Sequence, residues 1–226
     1  MIWALPNHFV VFPHPLTADE EGVLAWSEYI SPEQVVFAYR YGIFPWYSAE
    51  DPILWWYPNP RFVLNPNDVR IHKSMRQFIR KTKLQVTFNT KFEEVIESCR
   101  TNSRTGQDST WIHDETVEIY SDLHRQGYAH SVEVWDEDNL VGGLYGLAIG
   151  KIFFGESMFT KVSNASKLAL IHLCKKLNAL GFELIDCQQE TEHLKSLGAQ
   201  PISKEQFYSH LRNNQLFTLQ HGDFHF

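Results

Sequence analysis

The sequence predicts an α+β fold, with a small N-terminal domain (1–62) ahead of a larger mixed domain (63–226). Three observations carry this expectation. The first 62 residues are dense in Pro and aromatic side chains, and Pro52, Pro58 and Pro60 forbid a helix late in that stretch. The run AHSVEVWDEDNLVGGLYGLAIGKIFFGESMF then reads as three strands joined by the turns DEDN and IGK. A strongly apolar helix, SNASKLALIHLCKKLNALG, follows and leads into another strand, FELIDCQ.

The remaining elements follow in order. Ser31 is placed as an N-cap and Pro32 at the first helical position of a short amphipathic helix carrying Val35, Val36, Tyr39 and Arg40, ended by Gly42. The segments IFPWYS and DPILWWYPNPRFVL are extended. DVRIHKSMRQFIRKTK is expected to be helical throughout, with Ile71, Met75, Phe78 and Ile79 on one face. LQVTFN alternates as a strand. TKFEEVIESCR is a helix whose Thr90 and Glu93 form a capping box. DETVEIYSDLHRQG is a helix closed by Gly127, the long apolar helix is closed by Gly181, and KEQFYSHLR is the last helix. Meander strands with a crossover helix into a further strand describe a layout of the acyltransferase type.

Composition narrows the function. With 43% hydrophobic residues the chain can build a real core, and seven Trp raise the prospect of stacking surfaces. A formal net charge of −7 excludes a general nucleic-acid coat, so charge must be read locally. Three cysteines without a CxxC pair argue against a disulfide framework or a zinc site, and no metal is expected. The N-terminal segment has no basic n-region and no long apolar core, and no run of about 18 apolar residues occurs. A cytoplasmic protein with no membrane partner is expected.

Three constellations stand out. Arg70, Lys73, Arg76, Arg80, Lys81 and Lys83 lie together without an acid among them. A phosphate backbone is the natural partner, and a solvated helix face is the alternative. Trp46, Trp55, Trp56 and Trp111 sit in Gly/Pro/Ser-rich segments, where they present a flat face to a base or pack the core. FFGESMF and ELIDCQ each set polar groups into an apolar strand. Strand alternation points Asp186 and Gln188 the same way, facing Glu156 on a neighbouring strand. That set can orient and deprotonate an amine, or it is a hydrogen-bond network at a strand end. HExxH, P-loop and GxSxG motifs are absent. The glycines of VGGLYG lie in a hairpin arm, where they signal a bulge or close packing. His113 and His130 read as structural.

The segments YGIFPWYS, DPILWWYPNPR, IHKSMR, TWI, GYAHSVEVW, LVGGLYG, FFGESMF, NASKLAL, LIDCQ and HLKSLGA, in this order, resemble the leucyl/phenylalanyl-tRNA–protein transferases. The resemblance covers nearly the whole chain. It implies a catalytic domain of the GCN5-related N-acyltransferase type. It also implies transfer of Leu, Phe or, less well, Met from aminoacyl-tRNA to the N-terminal Arg or Lys of acceptor proteins, which creates an N-degron. No cofactor is implied. VSNASKLA stands where acyl-CoA enzymes carry a Gly-rich pyrophosphate loop, and it has no glycine. A monomer is expected.

By the same resemblance, Asp186 and Gln188 are the catalytic pair and Glu156 contacts the aminoacyl group. Leu144, Phe153, Met158, Leu173 and Ile185 form the side-chain pocket. Trp46 and Trp111 flank the terminal adenosine, and the Arg70–Lys83 cluster holds the acceptor stem. Positions 144 and 173, often Met and Phe in the family, are Leu here, which bears on the ranking of Phe against Leu. LAWSEYISPEQ lacks the family's Gly-Gly at a local turn. Gln188 is expected to orient the acceptor amine, with Asp186 polarising it or taking the proton through a water. The alternatives are a non-catalytic tRNA- or peptide-binding module and an acetyl-CoA N-acetyltransferase.

Overall fold

The computed structural model describes residues 2–6, 11–48, 50–101 and 111–215. Two sheets organise the chain. The first, in the order β1–β2–β4–β3, uses β1 (Trp3–Ala4), β2 (Val23–Ser27), β3 (Phe44–Pro45) and β4 (Ile53–Trp56). Between β2 and β3 lies α1 (Pro32–Arg40), where Ser31 and Gln34 form a reciprocal capping box behind Pro32. Gly42, at φ 71°, ends it as expected.

The second sheet has seven strands in the order β11–β5–β10–β9–β8–β7–β6. They are β5 (Arg61–Leu64), β6 (Gln85–Phe88), β7 (Ala129–Asp136), β8 (Asn139–Ile149), β9 (Ile152–Thr160), β10 (Leu184–Gln188) and β11 (Gln200–Ile202). The meander β7–β8–β9 forms as the strand runs and the turns DEDN and IGK predict. Glu137 and Gly150, both at positive φ, begin its two-residue turns. The one parallel join in this sheet, β9 to β10, is made by the crossover helix α5 (Ala165–Ala179).

One face of the large sheet is covered by α5 and by α2 (Lys73–Lys81). The other is covered by α3 (Phe92–Thr101), α4 (Asp114–Arg125) and the N-terminal sheet with α1. The apolar cluster on this second side runs without a break from Leu24, Val35 and Trp55 to Val95, Leu123, Tyr145 and Phe159. The C-terminal α7 (Lys204–Gln215) adds Phe207 and Leu211 to the same cluster. Gly146 is needed for the close approach of β8 to β9, because a Cβ there would meet the Phe154 carbonyl at 2.1 Å.

Three local readings change. The helix expected from Asp68 starts only at Lys73, because the Arg70 amide is tied to the Leu197 carbonyl at 2.8 Å. Thr90 does not cap α3. Its hydroxyl donates to the buried Glu133 at 3.0 Å, and that carboxylate instead accepts the Lys91 amide at the helix start. A fully buried carboxylate needs every donor within reach, and it wins Thr90 from the local cap. The short α6 (Glu192–Ser196) and β11 had no periodic signal to reveal them.

Candidate active site

The β9–β10 ladder stops at the pair Asp186–Phe154. Two residues farther along each strand, the Gln188 side-chain amide donates to Glu156 Oε1 at 3.1 Å. Both positions depend on bulges. In the β8–β9 pairing, Tyr145 faces Ser157 and Gly146 faces Gly155, so Glu156 has no partner. In the β5–β10 pairing, Asp186 faces Val63 and Gln188 faces Phe62, so Cys187 has none. Extra residues of this kind break the pleat and re-aim the side chains beside them.

Glu156 sits in a nest of donors. Tyr39 of α1 donates to Oε1 at 2.8 Å and Tyr120 of α4 to Oε2 at 3.1 Å. Burial pushes the carboxyl up to about 7, against the pull of the Tyr39, Tyr120 and Gln188 hydrogen bonds, with the nearby Asp186 charge adding to the rise. Burial, chiefly, also raises both tyrosines well above their ordinary range, so they remain donors. An ionised carboxylate only accepts, so the NH2 of Gln188 must face it. Its carbonyl oxygen is left for another partner.

Asp186 is placed differently from what alternation implied. It is fully buried and lies behind the site, held by Arg61 of β5. Arg61 Nε donates to Oδ1 at 2.8 Å and Nη2 to Oδ2 at 2.5 Å, while Nη2 also donates to the Gly42 carbonyl at 2.9 Å. The guanidinium lies over the rings of Phe207 and Phe44, 4.6 and 4.8 Å from their centres. Asp186 reaches Gln188 through the backbone: the Gln188 amide donates to Oδ1 at 2.9 Å. The cause of the misplacement is the Cys187 bulge, which leaves Gln188 at φ 62° and ends the alternation one residue early.

In front of Glu156 and Gln188 opens a cavity of about 510 Å³. Leu144, Phe153, Met158, Leu173 and Ile185 all line it, as do Trp46 and Trp111. Trp46 is 39% exposed, with its ring edge-to-face with Trp56 at 5.4 Å between centres. Trp55, by contrast, is fully buried and donates to Ser27, and Trp56 donates to the Trp46 carbonyl. His130 is also structural: burial lowers it to about 4, and it bonds Asn89. Among the described residues no group of three His, Cys, Asp or Glu side chains is gathered to hold a metal.

The basic cluster is exposed, and none of its six residues forms an ion pair among the described residues. The α2 start is tied to the end of α6 by His72 to the Ser196 carbonyl at 3.0 Å. His193 and Leu194 of α6 line the cavity, so α6 links the start of the basic helix to the cavity wall. Sequence reasoning missed Arg61 and Tyr120 and took Tyr39 only as an apolar helix position. Arg61 did leave a signal: an Arg at the head of the apolar run FVL is the complement of an Asp inside LIDC.

Among solved structures, a GCN5-related N-acetyltransferase from Kribbella flavida aligns over 79% of this chain and 66% of its own. The TM-score is 0.41 and the identity 12%, too low to carry the assignment. Sequence relatives are far nearer. The leucyl/phenylalanyl-tRNA–protein transferase of Hydrogenovibrio crunogenus is 52% identical over 90% of this chain and 80% of its own. That of Syntrophobacter fumaroxidans is 50% identical over 95% and 91%, and that of Sulfurimonas denitrificans 44% over 98% and 96%. The family profile described as leucyl/phenylalanyl-tRNA protein transferase matches residues 63–212, and the profile of its N-terminal domain matches residues 29–59. With the two profiles in chain order and relatives of this identity across almost the whole length, the chain belongs to the leucyl/phenylalanyl-tRNA–protein transferase family.

Proposed function

We propose that this protein transfers Leu or Phe, and Met less well, from aminoacyl-tRNA to the N-terminal Arg or Lys of acceptor proteins. It works in the cytoplasm as a monomer and marks its acceptors for degradation. The observation that carries this reading is the single cavity that joins an apolar wall to the Glu156–Gln188 pair and to two tryptophans. An aminoacyl-adenosine offers matching parts: an apolar side chain, an α-ammonium group and a base with a flat face.

The side chain enters among Leu144, Phe153, Met158, Leu173 and Ile185. Trp46 and Trp111 flank the terminal adenine, and stacking of this kind contributes about 1–3 kcal/mol per base. Glu156 holds the α-ammonium of the aminoacyl group. The carbonyl oxygen of Gln188, left free by its amide bond to Glu156, accepts an N–H from the acceptor amine and aims its lone pair at the ester carbon. The new C–N bond forms as the C–O bond to the ribose breaks. The proton lost by the amine is gained by the ribose oxygen. Because the ester is already activated, positioning supplies most of the acceleration. Asp186 supports Gln188 from behind. Arg70, Lys73, Arg76, Arg80, Lys81 and Lys83 hold the acceptor-stem phosphates beside the cavity.

The test is transfer of labelled Leu or Phe from charged tRNA to a peptide beginning with Arg, against one beginning with Ala. Transfer to the Arg peptide alone supports the reading. Binding of tRNA without transfer overturns it in favour of a binding module.

A further inference from the structure

We propose that Arg61 is a positioning residue of the transfer reaction. Its two-pronged hold on Asp186 fixes the backbone of Gln188, so that Asp186 serves as an anchor and not as the proton acceptor. The inference rests on the transferase reading above.

Gln188 is held in an unusual backbone conformation. Its φ of 62° is a left-handed conformation that a residue with a Cβ keeps only where its surroundings hold it there. What holds it is the bond from its amide to Asp186 Oδ1 at 2.9 Å. That bond requires the carboxylate to keep one orientation, and an isolated carboxylate turns easily. Arg61 stops the turn by meeting both oxygens at once through Nε and Nη2. Arg61 is in turn fixed by the Gly42 carbonyl and the rings of Phe44 and Phe207. The hold thus passes from Arg61 to Asp186 to the Gln188 backbone, and so to the side chain that meets Glu156.

The same contacts remove Asp186 from the proton path. Oδ1 already accepts two hydrogen bonds and Oδ2 one, the carboxylate has no exposed surface, and it is absent from the cavity wall. With both oxygens engaged and the carboxylate set behind the wall, an amine bound in the cavity does not reach it.

The experiment measures kcat and KM of aminoacyl transfer, corrected for the folded fraction, in wild type, Arg61→Lys, Asp186→Asn and the double variant Arg61→Gln/Asp186→Asn. Lysine keeps the charge but not the fork, so kcat should fall about tenfold or more with both KM values within about twofold. Asp186→Asn keeps an oxygen for the Gln188 amide but leaves the buried guanidinium unpaired. Removing that cation in the double variant should raise kcat about tenfold above Asp186→Asn alone. A folded Arg61→Lys enzyme with wild-type kcat overturns the proposal. So does a double variant no faster than Asp186→Asn, which would mean that the carboxylate charge itself is needed. Should Arg61→Lys fail to fold, the double variant decides. An inactive wild type would instead overturn the transferase reading on which the proposal stands.

Discussion

Tyr39, on the helix of the N-terminal unit, donates its hydroxyl to Glu156 of β9 across 2.8 Å. The N-terminal unit therefore completes the polar end of the cavity. Tyr39→Phe removes one of three donors that pull the Glu156 carboxyl down, so that carboxyl should rise further above about 7. Hydrogen bonds to charged groups contribute about 1.5–3 kcal/mol, so transfer at pH 7 should fall at least about tenfold. The pH–rate midpoint should move to higher pH. A slower enzyme with an unmoved midpoint would detach Tyr39 from the Glu156 ionisation.

The wild-type profile itself follows from Glu156. Holding an ammonium requires the ionised carboxylate, so kcat/KM should climb as pH passes through about 7. Stability should move the other way. The native carboxyl is raised above its ordinary value of 4.5, so the native state binds the extra proton between that pH and about 7. The advantage is complete below 4.5 and is lost as pH rises through the folded value. Thermal melting from pH 4.5 to 7.5 should show this decline in wild type and a flatter course in Glu156→Gln.

The six exposed cations predict a salt effect. Replacing Lys73, Arg76 and Arg80 together by Ala should weaken tRNA binding for every charged tRNA alike. The slope of log K against log salt should shrink by about 0.9 per lost duplex phosphate contact. Transfer from a minimal aminoacyl-adenosine donor should stay near wild type. An unchanged salt slope would assign the cluster to ordinary surface.

Pocket shape should set the ranking of donors. Leu144 and Leu173 are buried in the cavity wall. Leu173→Ala leaves more void around a bound Leu than around a bound Phe. The ratio of kcat/KM for Phe over Leu should rise on the order of tenfold. Competition between the two charged tRNAs measures it directly.

Much of this structure could be read along the chain. The capped α1, the β7–β9 meander, the crossover helix and the strand carrying Asp186 all follow from local patterns of cap, apolar run and turn. Leu144, Phe153, Met158, Leu173 and Ile185, which only the family resemblance named, line one cavity, and Gln188 does meet Glu156. What the chain did not reveal depends on contacts between distant segments. Arg61 and Asp186 are 125 positions apart. Glu156 is re-aimed by an unpaired position against β8, and Gln188 by one against β5, and neither strand's own sequence records the partner's register. Thr90 looked like a cap because the competing Glu133 lies far along the chain.

The unbroken apolar cluster shared by the two sheets has a bearing on how this protein can be divided. Neither sheet owns that cluster: Trp55 and Tyr39 belong to it as fully as Tyr145 and Phe159. A fragment beginning near residue 63 would carry a wide oily surface into water, and the remainder would be too small to close over its own half. The two halves should melt in one calorimetric transition, and each should need the other during synthesis. A segment that supplies both a tyrosine to Glu156 and half of a common interior is no detachable accessory, and gene-level trimming of it should yield aggregate in place of a minimal enzyme.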